Sequence, residues 1–196
     1  MICFDGRVLA SAGRFVAALL LAGLTGLFVV TGSVEGDRRL VLAGLRPREV
    51  FAGRFAVIAA ATALATTVAV VVSGAWYSPR QWVVIVGANL LIALTYAMLG
   101  MLLGPLTGRL GGLYLILLLA FIDIGLGQNV MFPSGPPTWG AFLPARGASR
   151  VMIDGAFTDR FNQVGYLFLG LAWLAGFSVT TALVFRRRIG ATGTLR

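Results

Sequence analysis

Asp123 is the one carboxylate set inside an apolar run, LYLILLLAFIDIGLG. A charge at membrane depth is costly and marks function more often than not. With Gln128 and Asn129 one to two turns further on, it could line a polar outer vestibule on a substrate path. The alternative reading puts it near the interface, paired with Arg80, Arg146 or Arg150. Asp154 and Asp159 are the other carboxylates downstream, five positions apart, and do not make the D-x-x-D pattern that a membrane-embedded enzyme of lipid metabolism needs to hold a phosphate. Histidine is absent and Cys3 is the single cysteine. The commonest general base, the commonest metal ligand and any internal disulfide are therefore missing. No catalytic set and no metal set emerges, and no G-x-x-x-x-G-K-[ST] phosphate loop occurs.

A second constellation lies at residues 35–54, EGDRRLVLAGLRPREVFAGR. It gathers five of the sixteen arginines, Arg38, Arg39, Arg46, Arg48 and Arg54, with Glu35, Asp37 and Glu49. A segment so charged cannot span a bilayer. Asp37 suits a helix N-cap, Gly44 a stop, and Pro47 the first position of a new helix, so the stretch reads as an elbow. Leu40, Leu42, Leu45 and Phe51 can face a membrane or a partner while the arginines stay solvated. The plainer alternative is a basic juxtamembrane loop that sets topology and touches anionic lipid.

The elements that must carry these residues follow from composition. Of 196 residues, 58% are hydrophobic and 12% charged, with mean hydropathy +0.90. A soluble domain could not tolerate that, so the fold class is all-α: a polytopic membrane helix bundle forming a single transmembrane domain over residues 1–196. Five spans are expected, at about 15–31, 55–75, 82–103, 111–127 and 164–185, each near the length that a hydrocarbon thickness of roughly 30 Å requires. The connector WYSPRQW between the second and third is a tight, aromatic-flanked turn. GPLTGRLGG between the third and fourth is a tight turn or, through Gly104, Gly108 and Gly112, a close-packing motif. Asn89, Thr95 and Tyr96 in the third run read as helix-to-helix hydrogen bonds, and Trp173, Thr180 and Thr181 as packing. The outer loop, 128–163, is too apolar for a disordered tail and suggests a short interfacial helix capped near Ser149 or Asp154. Arg186, Arg187 and Arg188 are expected to stop the last span.

The net charge is +9 without a single lysine. No aromatic-interleaved basic stripe is present, which argues against nucleic acid as a partner. Placing the 35–54 segment in the cytoplasm puts ten arginines inside and six outside. The C-terminus is then cytoplasmic, the N-terminus is outside, and the chain is multi-pass in the cytoplasmic membrane.

In this order the residues resemble a known family. An apolar run, an elbow of the form E-x-D-R-R-L-x-L-A-G-L-R-P-R-E-V-x-x-G-R and a second run look like the permease subunits of type-2 ABC transporters, the membrane halves of bacterial exporters. FIDIGLGQNV is similar to the outer end of that family's fifth helix. WGAFLPARGASRVMIDGAF is similar to the short outer helices before its last span, and the likeness covers residues 15–188. The resemblance implies that the elbow is a coupling helix docking on a cytoplasmic ABC ATPase subunit through Asp37, Arg38, Arg39, Leu40, Leu42, Leu45, Arg46, Pro47, Arg48 and Glu49. It also implies a dimer with itself or a sister permease in contact with membrane lipid. ATP and Mg would be bound by the partner ATPase and no cofactor by this chain. The substrate would be an amphiphile: a drug, a lipid or an envelope component. Family permeases usually carry six helices, whereas this chain carries five and begins at what would be the second: it is an N-terminally short form, its true start lies further upstream, or residues 1–14 stand in for the missing helix. A small structural or assembly subunit without a transport path is the alternative.

Overall fold

The computed structural model describes residue 28 and residues 47–74, 80–128 and 137–190. The first expected run apart from Phe28, the elbow up to Arg46, and Asn129 lie outside the described residues.

Helix α1, Pro47–Gly74, opens on the proline that the sequence marked as a first-turn residue, with Glu49 in that first turn, where a carboxylate suits the positive end of the helix. Its inward face is a stripe at helical period, Val50, Arg54, Ile58, Thr62, Thr66, Ala69 and Val70, all buried. The opposite face is apolar and bare, with Leu64 68% exposed. A surface of that kind is stable against lipid and not against water.

Helix α2, Trp82–Ala120, runs on into a wider π-turn over Phe121–Gly127. It is not one straight rod. Tyr96 and Asp123 are 27 positions apart, about 40 Å along a continuous helix, yet their side chains share a 2.8 Å hydrogen bond. The chain must fold back between them, and it does so at Gly108, the one residue inside α2 with non-helical backbone, φ 74° and ψ −177°. That region of conformational space is essentially reserved for glycine. Pro105, three residues earlier, removes a backbone donor and loosens the last turn before the reversal. The expected third and fourth runs are thus two antiparallel arms, 82–107 and 109–127. Their connector shrinks from the GPLTGRLGG turn to a single glycine.

Helix α3, Ala145–Phe157, follows a short 3-10 turn at Thr138–Phe142, and α4 is Val164–Gly190. One expectation is corrected here, and another holds for the span though not for the helix: the apolar span ends at Val184, just before the three arginines. The start of α3 is four residues ahead of Ser149, with Pro144 in the N-cap position, so neither Ser149 nor Asp154 caps it. The last helix carries through Arg186, Arg187 and Arg188 to Gly190, because arginine is a good helix former and ends a span without ending a helix.

Among the described residues there is no strand, and three helices are long and apolar enough to cross a membrane: Ala52–Val72, the folded-back Trp82–Gly127, and Val164–Val184. Their shared core is one layer of Leu91, Ile92, Tyr96, Leu99, Ala120, Ala145 and Ala148, and a second of Ile58, Ala93, Ala97, Met98 and Met101, with Leu174 and Phe177 of α4 packed on both. α3 runs alongside the first half of α2, with Gly155 at the level of Gln81–Ile85 and Ala145 at the level of Tyr96. Its Gly155 carbonyl accepts from the Gln81 amide at 2.9 Å, and the Gln81 side chain reaches the Thr158 carbonyl at 2.8 Å. Gln81, Thr158 and the C-terminal end of α3 are therefore on one face of the bundle, and the Gly108 turn is on the other.

Candidate functional site

The site that the fold builds around a sequence-marked residue is centred on Asp123. It sits in the π-turn, where the i→i+5 repeat widens the helix, a feature frequent at functional positions. The side chain is 1% exposed. Oδ2 accepts from the Tyr96 hydroxyl at 2.8 Å and from the Ala145 backbone N–H at 2.8 Å, and Oδ1 accepts from Gln128 Nε2 at 3.4 Å. Three elements converge on one carboxylate: the first hairpin arm, the second arm with its π-turn, and the first turn of α3.

The Ala145 contact explains how α3 is held. Pro144 gives that helix no side-chain cap, so its first N–H groups need an acceptor from elsewhere. Asp123 supplies it across space, and a carboxylate there also answers the positive end of the α3 dipole. Gln128 extends the network outward. Its Nε2 donates to the Gly140 carbonyl at 2.9 Å, and its Oε1 accepts from Arg146 Nη1 at 3.4 Å. Arg146 thus approaches Asp123 through one intervening amide rather than by direct contact.

The alternative of a direct arginine pair for Asp123 is therefore corrected. Arg80 pairs instead with Asp159, Nη1 to Oδ1 at 3.1 Å, on an open surface. Asp154 accepts at Oδ2 from the Asn162 N–H at 3.1 Å, nine positions beyond Ala145 on α3 and so about 14 Å along that helix from the Asp123 contact. The three downstream carboxylates do not come together. Among the described residues no group of three potential metal ligands forms.

Of the path residues marked in the sequence, Asp123 and Gln128 are brought into one network and Asn129 lies outside the described residues. Of the elbow, Pro47, Arg48 and Glu49 are the opening of α1, and Asp37, Arg38, Arg39, Leu40, Leu42, Leu45 and Arg46 lie outside the described residues. Tyr96 does make the helix-to-helix bond expected of it. Thr95 satisfies its hydroxyl on its own helix, at the Leu91 carbonyl 2.8 Å away. Asn89 finds no partner among the described residues for either polar atom of its side chain. Ala145 and Gly140 contribute main-chain atoms to the network, and no side-chain pattern could have pointed to them. The Gln-bound Arg146 was legible only as one of three arginines in reach.

Compared with protein-family models, with curated proteins and with solved structures, the chain matches none.

Proposed function

We propose that this chain is the membrane-spanning permease subunit of an ATP-driven exporter, moving an amphiphile out across the cytoplasmic membrane. The observation that carries the reading is the order of parts in the sequence: apolar run, arginine-bearing elbow, span, hairpin, outer helix, span. The elbow feeds directly into α1 through Pro47, so a push on it would be transmitted along a rigid helix that packs its whole inward stripe on the hairpin and α4. In this reading there are five spans, with residues 15–31 as the first and each hairpin arm crossing once. The elbow, Gly108 and the C-terminus face the cytoplasm, and α3 faces outside with the N-terminus. A separate ABC ATPase subunit binds ATP and Mg, and a second copy or a sister permease completes the pore. Leu40, Leu42 and Leu45 dock in a groove of the ATPase, and Asp37, Arg38, Arg39, Arg46, Arg48 and Glu49 make rim pairs. Loss of a packed leucine then costs more than loss of a rim charge, since exposed pairs contribute roughly 0–1 kcal/mol.

One observation favours a second reading, a structural or assembly subunit without a transport path: the hydrogen-bonding capacity of Asp123 is turned inward, onto the helices it joins. Co-purification separates the two. The tagged chain should retain its candidate cytoplasmic ATPase, and Leu42→Asp with Arg46→Glu should release it while the variant still inserts and runs as a single species. A folded chain that retains no ATPase would sink the exporter reading and leave the scaffold.

A further inference from the structure

The seam between α1 and the first hairpin arm holds three buried polar side chains that the Asp123 network does not use. Thr62, Thr66 and Asn89 are 1%, 2% and 1% exposed. The hydroxyls of Thr62 and Thr66 and both polar atoms of Asn89 lack a hydrogen-bond partner among the described residues.

For the threonines this departs from the habit of the same chain. Thr67, Thr95, Thr107, Ser178, Thr180 and Thr181 each return the hydroxyl to the carbonyl four residues back, at 2.7 to 3.0 Å. That bond is available to any helical threonine and needs only the right rotamer. Thr62 and Thr66 forgo it, one turn apart on the buried stripe.

The register brings Asn89 to them. α1 ends at Gly74 and α2 begins at Trp82, so antiparallel partners have numbers that add up to about 156, and Ile58 shares a core layer with Ala97 in agreement with that sum. Thr66 then stands at the level of Asn89 and Thr62 at the level of Ala93, one turn away. Two hydroxyls and one carboxamide supply donors and acceptors together and no net charge. The nearest charged groups on the two helices are remote: Arg54 is eight residues from Thr62, about 12 Å along α1. On the hairpin the nearest is Asp123, bonded at Tyr96, seven residues and about 10 Å from Asn89.

Orphaned polar atoms in a membrane interior are strongly disfavoured unless something meets them. We propose that Thr62, Thr66 and Asn89 form one binding site, at membrane depth, for an uncharged hydrogen-bonding group that both donates and accepts. The three side chains carry no charge of their own, so the site favours a neutral guest over an ion, and it excludes apolar guests, which would leave every orphan unmet. Water and the hydroxyl or amide head of a neutral amphiphile share the required chemistry. The site owes nothing to any ATPase and stands or falls apart from the exporter reading.

The test uses the whole chain, purified in lipid nanodiscs, with its asparagines labelled at the side-chain nitrogen and observed by NMR. The chain has only Asn89, Asn129 and Asn162, so Asn129→Gln and Asn162→Gln leave Asn89 assigned by difference. A cross-peak from the Asn89 amide protons to water, unchanged when monoolein is added, identifies water as the occupant. A shift of that resonance on titration with monoolein, but not with the same amount of oleate, identifies a neutral head group. Either result supports the site. A signal with no water cross-peak and no response to monoolein overturns it. Thr62→Val with Thr66→Val, close to isosteric and apolar, should weaken the cross-peak or shift several-fold while the protein stays monodisperse. Full retention would remove the threonines from the site.

Discussion

The three donors on Asp123 make unequal demands, and substitutions can separate them. Tyr96→Phe removes one hydroxyl and leaves Asp123 with the Ala145 amide and Gln128, so it should cost about 1 to 2 kcal/mol. Asp123→Ala leaves the Tyr96 hydroxyl and the Ala145 N–H buried and unmet at once, and should cost roughly 3 to 5 kcal/mol. Because the two residues share the same bond, the double variant should be no worse than Asp123→Ala by more than a few tenths, and a double-mutant cycle by denaturation in micelles measures the coupling. Additive losses would mean that the hydroxyl and the carboxylate act separately. By contrast the Arg80 to Asp159 pair is 64% and 76% exposed on its two side chains, so Asp159→Asn should shift stability by less than about 0.5 kcal/mol. At this scale the sequence made Asp123 conspicuous, since one carboxylate in an apolar run needs a reason. Its partners were hidden because they depend on where the chain reverses, and because one of them, the Ala145 N–H, is a main-chain atom.

Two glycines decide how the elements meet. Gly108 turns the hairpin in a conformation that an L side chain does not reach. Gly108→Ala should destabilise by about 1 to 3 kcal/mol, and Gly108→Asn should not rescue it, because asparagine tolerates left-handed helix and not an extended ψ at positive φ. Gly147 lets α3 lie against α4. A Cβ there would stand 2.5 Å from the Tyr166 carbonyl oxygen and 2.6 Å from the Gly170 nitrogen, both backbone and unable to swing aside. Gly147→Ala should cost about 1 to 3 kcal/mol and quicken tryptic cleavage after Arg146 and Arg150. Gly165→Ala, with nothing within 4 Å, should be neutral or slightly stabilising. If both alanine variants cleave at the wild-type rate, α3 is not locked to α4 as described. The apolar runs were legible as helices because length and composition suffice for that. Their joints were less so: GPLTGRLGG contains several glycines fit to turn a chain, and only the packing of Ala120 and Asp123 against the first arm selects Gly108.

Over the whole molecule, the hydrogen bonds sort the connections onto two faces. Arg80, Gln81, the C-terminal end of α3 and Asp159 share one, tied by the Gln81 to Gly155 and Arg80 to Asp159 contacts. Gly108 and Arg109 mark the other. Phe28 belongs with that second face, since the Arg109 guanidinium stands over its ring at 4.7 Å, a cation–π contact that sets the end of the first run beside the hairpin turn. This arrangement agrees with an alternation in which the elbow leaves the membrane where Gly108 does, and it makes a sharp prediction. In a chain with Cys3→Ser, single cysteines at positions 80 and 159 should react with an impermeant maleimide on intact cells. Cysteines at 109 and 187 should react only after the membrane is opened. Reversal of both pairs would keep the fold and invert the orientation that the ten-to-six arginine count favours. If positions 109 and 159 label from the same side, the second arm does not cross, because about 30 Å of apolar helix separates them in any arrangement where it does.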